Sequence, residues 1–269
     1  MASALAAAAL LRLAGADAIA FAHAQFSSDI KALAPGDCGC GAWLDAQGRV
    51  QAVFVALRSD ANSLLLWLPR GDAAALASAV GRYRLRSRVQ IDVVPGWQVL
   101  AAPPATTAPP FGRWLAHADG CLLRPAPTAQ RGLLLAPAAL PIDAAAALEW
   151  QREDLCARLP WLETAVAGRF VPQALELERI GALSFDKGCY PGQEIAARLH
   201  FRGGNKRGLR AVVTGTLAPP PGTTLSDADG QRIGEVLYAV PAQGGQPAAA
   251  LVVAELAAPA AADDTAGSA

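Results

Sequence analysis

Leu10-Leu11-Arg12-Leu13-Ala14-Gly15-Ala16-Asp17 begins the stretch, running to Val94, whose alternation of elements decides the fold class. Leu10 to Leu13 reads as a strand. Gly15-Ala16-Asp17 is a turn in which Asp17 can cap the following helix by accepting from a free N–H. Ala18 to Phe26 then carries apolar residues at helical spacing. Cys40 to Leu44 and Val50 to Leu57 are strand-like, and Asp45-Ala46-Gln47-Gly48 between them is a hairpin turn. Ser63 to Leu68 is a strand stopped by Pro69, Asp72 caps a helix through Val80, and Val89 to Val94 is the next strand. The order β-α-β-β-β-α-β predicts an α+β module over residues 1–100, related to the split βαβ arrangement.

Moving outward, Ala101 to Pro110 is rich in Pro, Ala and Thr and reads as a linker. Strands follow at Gly120 to Arg124 and Gly132 to Leu135, and Asp143 caps a helix that runs on towards Arg158, with Pro160 behind it. These make a second α+β module over 101–205. From Leu209 the character changes. Leu209 to Leu217, Gly222 to Leu225, Arg232 to Val240 and Ala248 to Leu256 are short strands parted by Pro and Gly clusters, which predicts a small C-terminal β-barrel over 206–258. Residues 259–269 read as a frayed, disordered tail.

Hydrophobic residues are 53% of the 269 and charged residues 17%, so real cores can form and a wholly disordered chain is excluded. The 23 basic and 23 acidic residues cancel, so any anion site must be local. No apolar run approaches the ~20 residues of a membrane span. Ala2 to Leu11 is apolar like the core of a signal peptide, but no Lys or Arg precedes it and Arg12 ends it, so it is read as part of the fold. The five cysteines, Cys38, Cys40, Cys121, Cys156 and Cys189, are odd in number and show no framework, which points to reduced thiols and a cytoplasmic protein. Cys38-Gly39-Cys40 lacks a second pair, and His23, His117 and His200 stand at no ligand spacing; no metal site is expected.

The chemistry concentrates in Ser184-Phe185-Asp186-Lys187-Gly188-Cys189-Tyr190-Pro191-Gly192-Gln193-Glu194. Pro191 suits the first turn of a helix, Glu194 suits the positive end of its dipole, and Gly203-Gly204 ends it. Cys189 thus lies just before a helix N-terminus and two residues from Lys187, and both features favour an ionised, nucleophilic sulfur. Gln193 and Glu194 can orient a ligand or brace the loop. The same residues also fit a structural turn around an inert, buried cysteine. Arg198 to Arg210 then holds five Arg or Lys and no acid, which fits either a solvated face or a site for carboxylates or phosphates. Arg82, Arg84, Arg86 and Arg88 form a second basic run.

At these residues the chain resembles the YgfZ family, folate-binding proteins related to the glycine-cleavage aminomethyltransferase. Lys187 to Glu194 match the fixed positions of K-G-C-Y-x-G-Q-E, followed by Phe201-Arg202-Gly203-Gly204-Asn205-Lys206-Arg207. Phe170-Val171-Pro172-Gln173, Gly181-Ala182-Leu183-Ser184-Phe185, and Leu13 with Gly15, Asp17, Phe21, Gln25 and Asp29 are also similar to the family. One departure lies upstream, where the family's R-x-E-x-G-x-P falls on Arg152 to Pro160 and the glycine is missing.

The resemblance implies two ferredoxin-like modules around a central pocket, closed by the β-barrel. It implies a tetrahydrofolate-dependent accessory factor for assembly or repair of iron–sulfur clusters in client enzymes, among them radical enzymes that thiolate tRNA. Cys189 would be its key thiol, with Lys187 beside it. Trp150, Tyr190, Gln193, Glu194, Arg202, Lys206 and Arg207 would face the folate, Trp150 by stacking on the pterin, although Trp150 equally fits a core position on its helix. Folate and iron–sulfur client or assembly proteins are the expected partners of a monomer, with no direct contact to nucleic acid or membrane. Two other readings stand beside this one: an aminomethyltransferase moving a one-carbon unit to tetrahydrofolate, and a non-catalytic scaffold.

Overall fold

The computed structural model describes residues 3–102, 107–118 and 120–256. In chain order the elements are β1 (Ala6–Ala7), β2 (Ala9–Ala14), α1 (Ala18–Gln25), β3 (Cys38–Leu44), β4 (Val50–Asp60), β5 (Ser63–Leu68), α2 (Ala73–Gly81), β6 (Gln90–Val94) and β7 (Trp97–Ala101). There follow β8 (Trp114–His117), β9 (Gly120–Leu123), β10 (Leu133–Pro137), α3 (Ala144–Cys156), α4 (Gln193–Arg202), β11 (Arg207–Gly215), β12 (Thr224–Ser226), β13 (Arg232–Val240) and β14 (Ala248–Glu255). They build three antiparallel sheets with few helices, the mixed α+β class that the sequence predicts.

The first sheet has the order β3-β4-β5-β2-β6. Strand β2 runs antiparallel to both β5 and β6, so β5 and β6 point the same way, joined through α2 with β2 between them. That is a split βαβ unit. Its strands are apolar on both faces, and the period of two decides which core each residue joins. Leu11, Leu13, Phe54, Leu64 and Leu66 pack under α1 and α2 with Phe21 and Leu76. Leu10, Val53, Val55, Leu65 and Trp67 face the opposite way, into the main core.

Asp72 caps α2, accepting from the N–H groups of Ala74 and Ala75 at 2.8 and 3.1 Å. Asp17 does not cap α1. Its carboxylate turns to Arg88, accepting from the backbone N–H at 2.8 Å and from the guanidinium. At ψ 6° its backbone is outside the extended conformation that points an N-cap side chain at the helix.

The second sheet has the order β1-β7-β10-β9-β8. The strands β1 and β7 belong here, so a division of the chain at residue 100 cuts through this sheet. Its single helix, α3, is capped by Asp143 at 3.0 and 3.1 Å to Ala145 and Ala146. Among the described residues no strand of the sheet follows α3, so this unit is an antiparallel meander with one helix rather than a second ferredoxin-like module.

The third sheet, β11-β14-β13-β12, is open. Among the described residues β11 and β12 are its two edges and do not pair, so the expected barrel is replaced by a four-stranded sheet. Its face bearing Leu237, Val240, Leu251 and Val253 joins the main core.

Where the three sheets meet, Trp67 stacks near-parallel on Trp150, with ring centroids 6.4 Å apart, and tilts against Trp161 at 6.5 Å. Tyr238 is fully buried in the same cluster and donates its hydroxyl to the carbonyl of Leu159 at 3.0 Å. These rings pack the junction of the three sheets. The tail at 259–269 and part of the 101–110 linker lie outside the described residues. Among the described residues no helix is long and apolar enough to cross a membrane.

Candidate functional site

The loop from Ser184 to Gly192 is held at both ends, with Cys189 between the anchors. Upstream, the N–H of Ser184 donates to the carbonyl of Ser27 at 2.9 Å. The hydroxyl of Ser27 in turn donates to the carbonyl of Ala182 at 2.6 Å. Lys187 then reaches into the first module, where its ammonium donates to the carbonyls of His23, Phe26 and Ser28. Two of these belong to α1 and its C-cap, where unpaired carbonyls concentrate negative charge. Burial lowers the Lys187 pKa to about 8, against the pull of Asp29, so the amine remains charged at neutral pH. The Tyr190 ring lies 5.0 Å from the ammonium, and its buried hydroxyl donates to the carbonyl of Ser184 at 3.1 Å.

Downstream, Gly192 is the N-cap of α4 at φ 75°. A Cβ there would stand 2.5 Å from the carbonyl oxygen of Asp45 and 2.7 Å from the Cα of Gly48. Backbone therefore meets backbone, with α4 docked on the β3–β4 hairpin turn, and only glycine permits both the approach and the left-handed φ. The helix starts at Gln193, so Pro191 lies one residue outside the cap rather than in the first turn. Glu194 does sit in that turn, as expected from the dipole.

Between the anchors Gly188 and Cys189 are exposed. The sulfur is presented to solvent just before a helix N-terminus, while the ammonium of Lys187 is spent on three carbonyls. Its geometry makes Lys187 a clamp on the loop. Gln193 is half-buried and Glu194 exposed; Arg202, Lys206 and Arg207 are exposed at and beyond the C-terminal end of α4. The structure keeps the Lys187–Glu194 residues together and sets Trp150 apart from them. Trp150 is a buried core residue on α3, packed on Trp67, and its indole N–H has no hydrogen-bond partner among the described residues.

A cavity of about 260 Å³ opens beside the C-terminal end of α3, lined by Thr128, Gln130, Arg131, Glu153, Asp154 and Cys156 among others. Cys189 does not line it, so thiol loop and cavity are separate places. Asp154 is only 6% exposed and accepts from the indole N–H of Trp161 at 3.0 Å. Burial raises its pKa to about 7, the nearby Arg131 and Arg70 opposing. Arg131 pairs with Glu153 at 2.9 Å, and its Nη2 is buried with no hydrogen-bond partner. Arg70 pairs with Glu163 at 2.9 Å and lies over the Tyr238 ring at 4.1 Å.

Sequence reasoning missed Asp154, Arg131 and Trp67. Asp154 carried a signal: an acid on the inward stripe of an amphipathic helix, beside Leu155. Register against R-x-E-x-G-x-P, counted back from Pro160, puts Arg158 at the glycine, Cys156 at the glutamate and Asp154 at the arginine. Arg158 adopts φ 51°, the left-handed conformation that glycine takes freely. The carbonyls of Ala157 and Arg158 both accept from the Arg179 guanidinium, which holds the backbone there.

Cys38 and Cys40 are buried in β3 and Cys121 is half-buried in β9; burial raises the Cys38 and Cys121 thiols to about 11 and Cys40 further.

No protein-family model matches the chain. An uncharacterized protein of Haemophilus influenzae (strain ATCC 51907 / DSM 11121 / KW20 / Rd) is 29% identical over 202 residues, covering 74% of this chain and 69% of that protein. The tRNA-modifying protein YgfZ of Klebsiella pneumoniae (strain 342) is 42% identical over 102 residues. The protein of the same name from Escherichia coli (strain SMS-3-5 / SECEC) is 42% identical over 103 residues. Each of these two matches covers 36% of this chain and 31% of the relative, so they span about a third of the YgfZ proteins' length. Among solved structures, the glycine cleavage system aminomethyltransferase T from Bartonella henselae is similar in fold, with a TM-score of 0.61 over 92% of this chain and 76% of that one, at 16% identity.

Proposed function

The chain belongs to the YgfZ family, and we propose that it is a folate-dependent accessory protein that supports assembly or repair of iron–sulfur clusters in client enzymes. The observation that carries the reading is the exposed Cys189, suspended between the Lys187 and Gly192 anchors. Two rigid supports for one solvent-facing sulfur suit a thiol that must meet another macromolecule. A thiolate is the ordinary protein ligand of cluster iron, so Cys189 would engage the client's cluster, its cargo, at the surface. The clients would include radical enzymes that thiolate tRNA, and the place of work is the cytoplasm.

Tetrahydrofolate is the group the fold implies, and the α3 cavity fits its pterin. Its volume of about 260 Å³ exceeds a two-ring heterocycle. Asp154 offers a buried carboxyl for the pterin's amino and ring N–H donors, and Arg131 has a buried, unpartnered N–H for the ring carbonyl. Thr128 and Gln130 would complete the polar rim. When bound, the folate would supply one-carbon chemistry; the chain's residues bind it, orient it and keep water from its pterin edge. Trp150 would support the wall through the core rather than stack on the ligand.

Calorimetric titration of the full chain with tetrahydrofolate tests the reading. Heat of binding that Asp154→Asn and Arg131→Gln weaken, in variants that still fold and melt cooperatively, is the expected result. Absence of heat and of any thermal shift overturns the folate assignment, because ligand at 100 times its dissociation constant adds about 2.7 kcal/mol of stability. Transfer of a one-carbon unit from an aminomethylated carrier to tetrahydrofolate by the purified chain would instead make it an aminomethyltransferase.

A further inference from the structure

The C-terminal half of α4 carries an unusual face. Phe201 is 73% exposed, although a ring of that size is ordinarily covered. It does not stand alone. Its centroid is 4.7 Å from the His200 ring, edge to face, and 5.8 Å from Phe185. His200 stacks on Phe185 at 4.3 Å and 27°. Three rings thus form a surface cluster that ties the end of α4 back to the loop bearing Cys189, and Phe201 is its outermost member.

Cations rim the cluster. Arg198 and Arg202 lie three residues before and one after Phe201, separated from each other by four, so all three share one side of the helix. Lys206 follows the Gly203-Gly204 turn. Among the described residues none of these three cations has a carboxylate within ion-pair distance. Even Glu194, one turn before Arg198, is not paired with it, and the carboxylate of Glu178 is taken up by His200 at 2.9 Å. In a chain of net charge zero this is a local concentration of uncompensated positive charge.

Two occupants fit a polyanion site: an acidic protein segment and a single-stranded polynucleotide. The aromatic cluster decides between them. A protein hot spot seats its anchor in an enclosed apolar pocket, whereas Phe201 is one protruding ring surrounded by charge. A nucleobase needs only an open ring face to stack on, with cations beside it for the phosphates. We propose that the face formed by Phe201, His200 and Phe185 with Arg198, Arg202 and Lys206 binds single-stranded nucleic acid, one base stacking on Phe201 and the flanking phosphates meeting the cations. This goes beyond the proposed function, does not depend on it, and reverses the expectation that the chain makes no direct contact with nucleic acid.

Fluorescence anisotropy with labelled oligouridylate and oligothymidylate of about 12 nucleotides, a length suited to such a platform, is the test. Binding by the full chain should weaken as salt rises from about 0.05 to about 0.2 M, with a logarithmic slope of roughly −2 for three phosphate contacts. Phe201→Ala should weaken binding at least about fivefold at every salt concentration, while Phe201→Tyr keeps it. Arg198→Gln with Arg202→Gln should weaken it and flatten the salt slope. All are surface changes, and unchanged melting temperatures verify the fold. Preference for uridylate or thymidylate tells RNA from DNA. No anisotropy change for either probe at low salt overturns the proposal, as does binding unaffected by Phe201→Ala. Competition by an oligoglutamate as strong as by unlabelled oligonucleotide, with Phe201→Ala silent, would assign the face to an acidic protein instead.

Discussion

Replacing Gly192 by Ala should loosen the whole support of the Cys189 loop. Two costs add. At φ 75° an alanine sits in left-handed backbone, which costs about 1 kcal/mol. Its Cβ would also stand 2.5 Å from the carbonyl oxygen of Asp45 and 2.7 Å from the Cα of Gly48. Both are backbone atoms of the β3–β4 turn, which cannot swing aside as a flexible side chain can, so overpacking adds about 1–3 kcal/mol. The sum is about 2–4 kcal/mol. In a chain of this size that lowers the melting temperature by roughly 4–16 °C. Gly188 is the matched control: it lies in the same loop, has no atoms within 4 Å of a built Cβ and no positive φ, and Gly188→Ala should melt within about 0.5 kcal/mol of the parent. Differential scanning calorimetry of the three proteins decides. Equal melting of Gly192→Ala and Gly188→Ala would refute the backbone-to-backbone anchor.

Asp154→Asn keeps an oxygen for the Trp161 indole N–H and removes the buried acid. The Asp154 pKa is raised from 3.8 to about 7, so between these values the folded chain holds a proton that the unfolded chain has lost, and stability falls as pH rises through that window. The Asn variant should flatten this part of the stability profile and gain up to a few kcal/mol at pH 7, read by denaturant titration at pH 4.5 and 7.5; a profile parallel to the parent's would contradict the assignment. Of the five thiols, Cys156 and Cys189 alone are exposed, so brief iodoacetamide treatment followed by mass spectrometry should modify those two in the native chain and all five in denaturant. Early modification of Cys38 or Cys40 would show that β3 is open. Trp150→Ala should cost about 3–5 kcal/mol by emptying the aromatic centre, a loss seen in urea midpoints without ligand present; a near-neutral result would return Trp150 to the role of a ligand-facing wall.

Local signals carried well from sequence to structure. Asp72 and Asp143 cap helices because each cap is settled within three residues, and the Asp45–Gly48 turn needs nothing beyond its own hairpin. Asp17 shows the limit: the same residue type in the same kind of position found Arg88, 71 residues away, a stronger partner than a helix N–H. Strand partnership was less legible. Ala6–Ala7 and Trp97–Ala101 pair with each other across the first module, and nothing in either segment announces which sheet it will join. Closure of the last four strands depends on edge pairing, which periodicity does not encode. The Cys189 motif was legible because it is contiguous. The cavity was not, because Arg131 and Asp154 come from a loop and a helix that only the fold brings together.

The claim that the Lys187–Gly192 loop exists to present one working sulfur is tested most directly in cells. Cells lacking the native gene would carry the parent chain, Cys189→Ser or Cys121→Ser at equal abundance, and the activity of a cluster-dependent tRNA-thiolating enzyme would be measured. Loss of activity with Cys189→Ser and retention with Cys121→Ser, a thiol outside the α3 cavity, is the expected result. Full activity with Cys189→Ser would contradict the account.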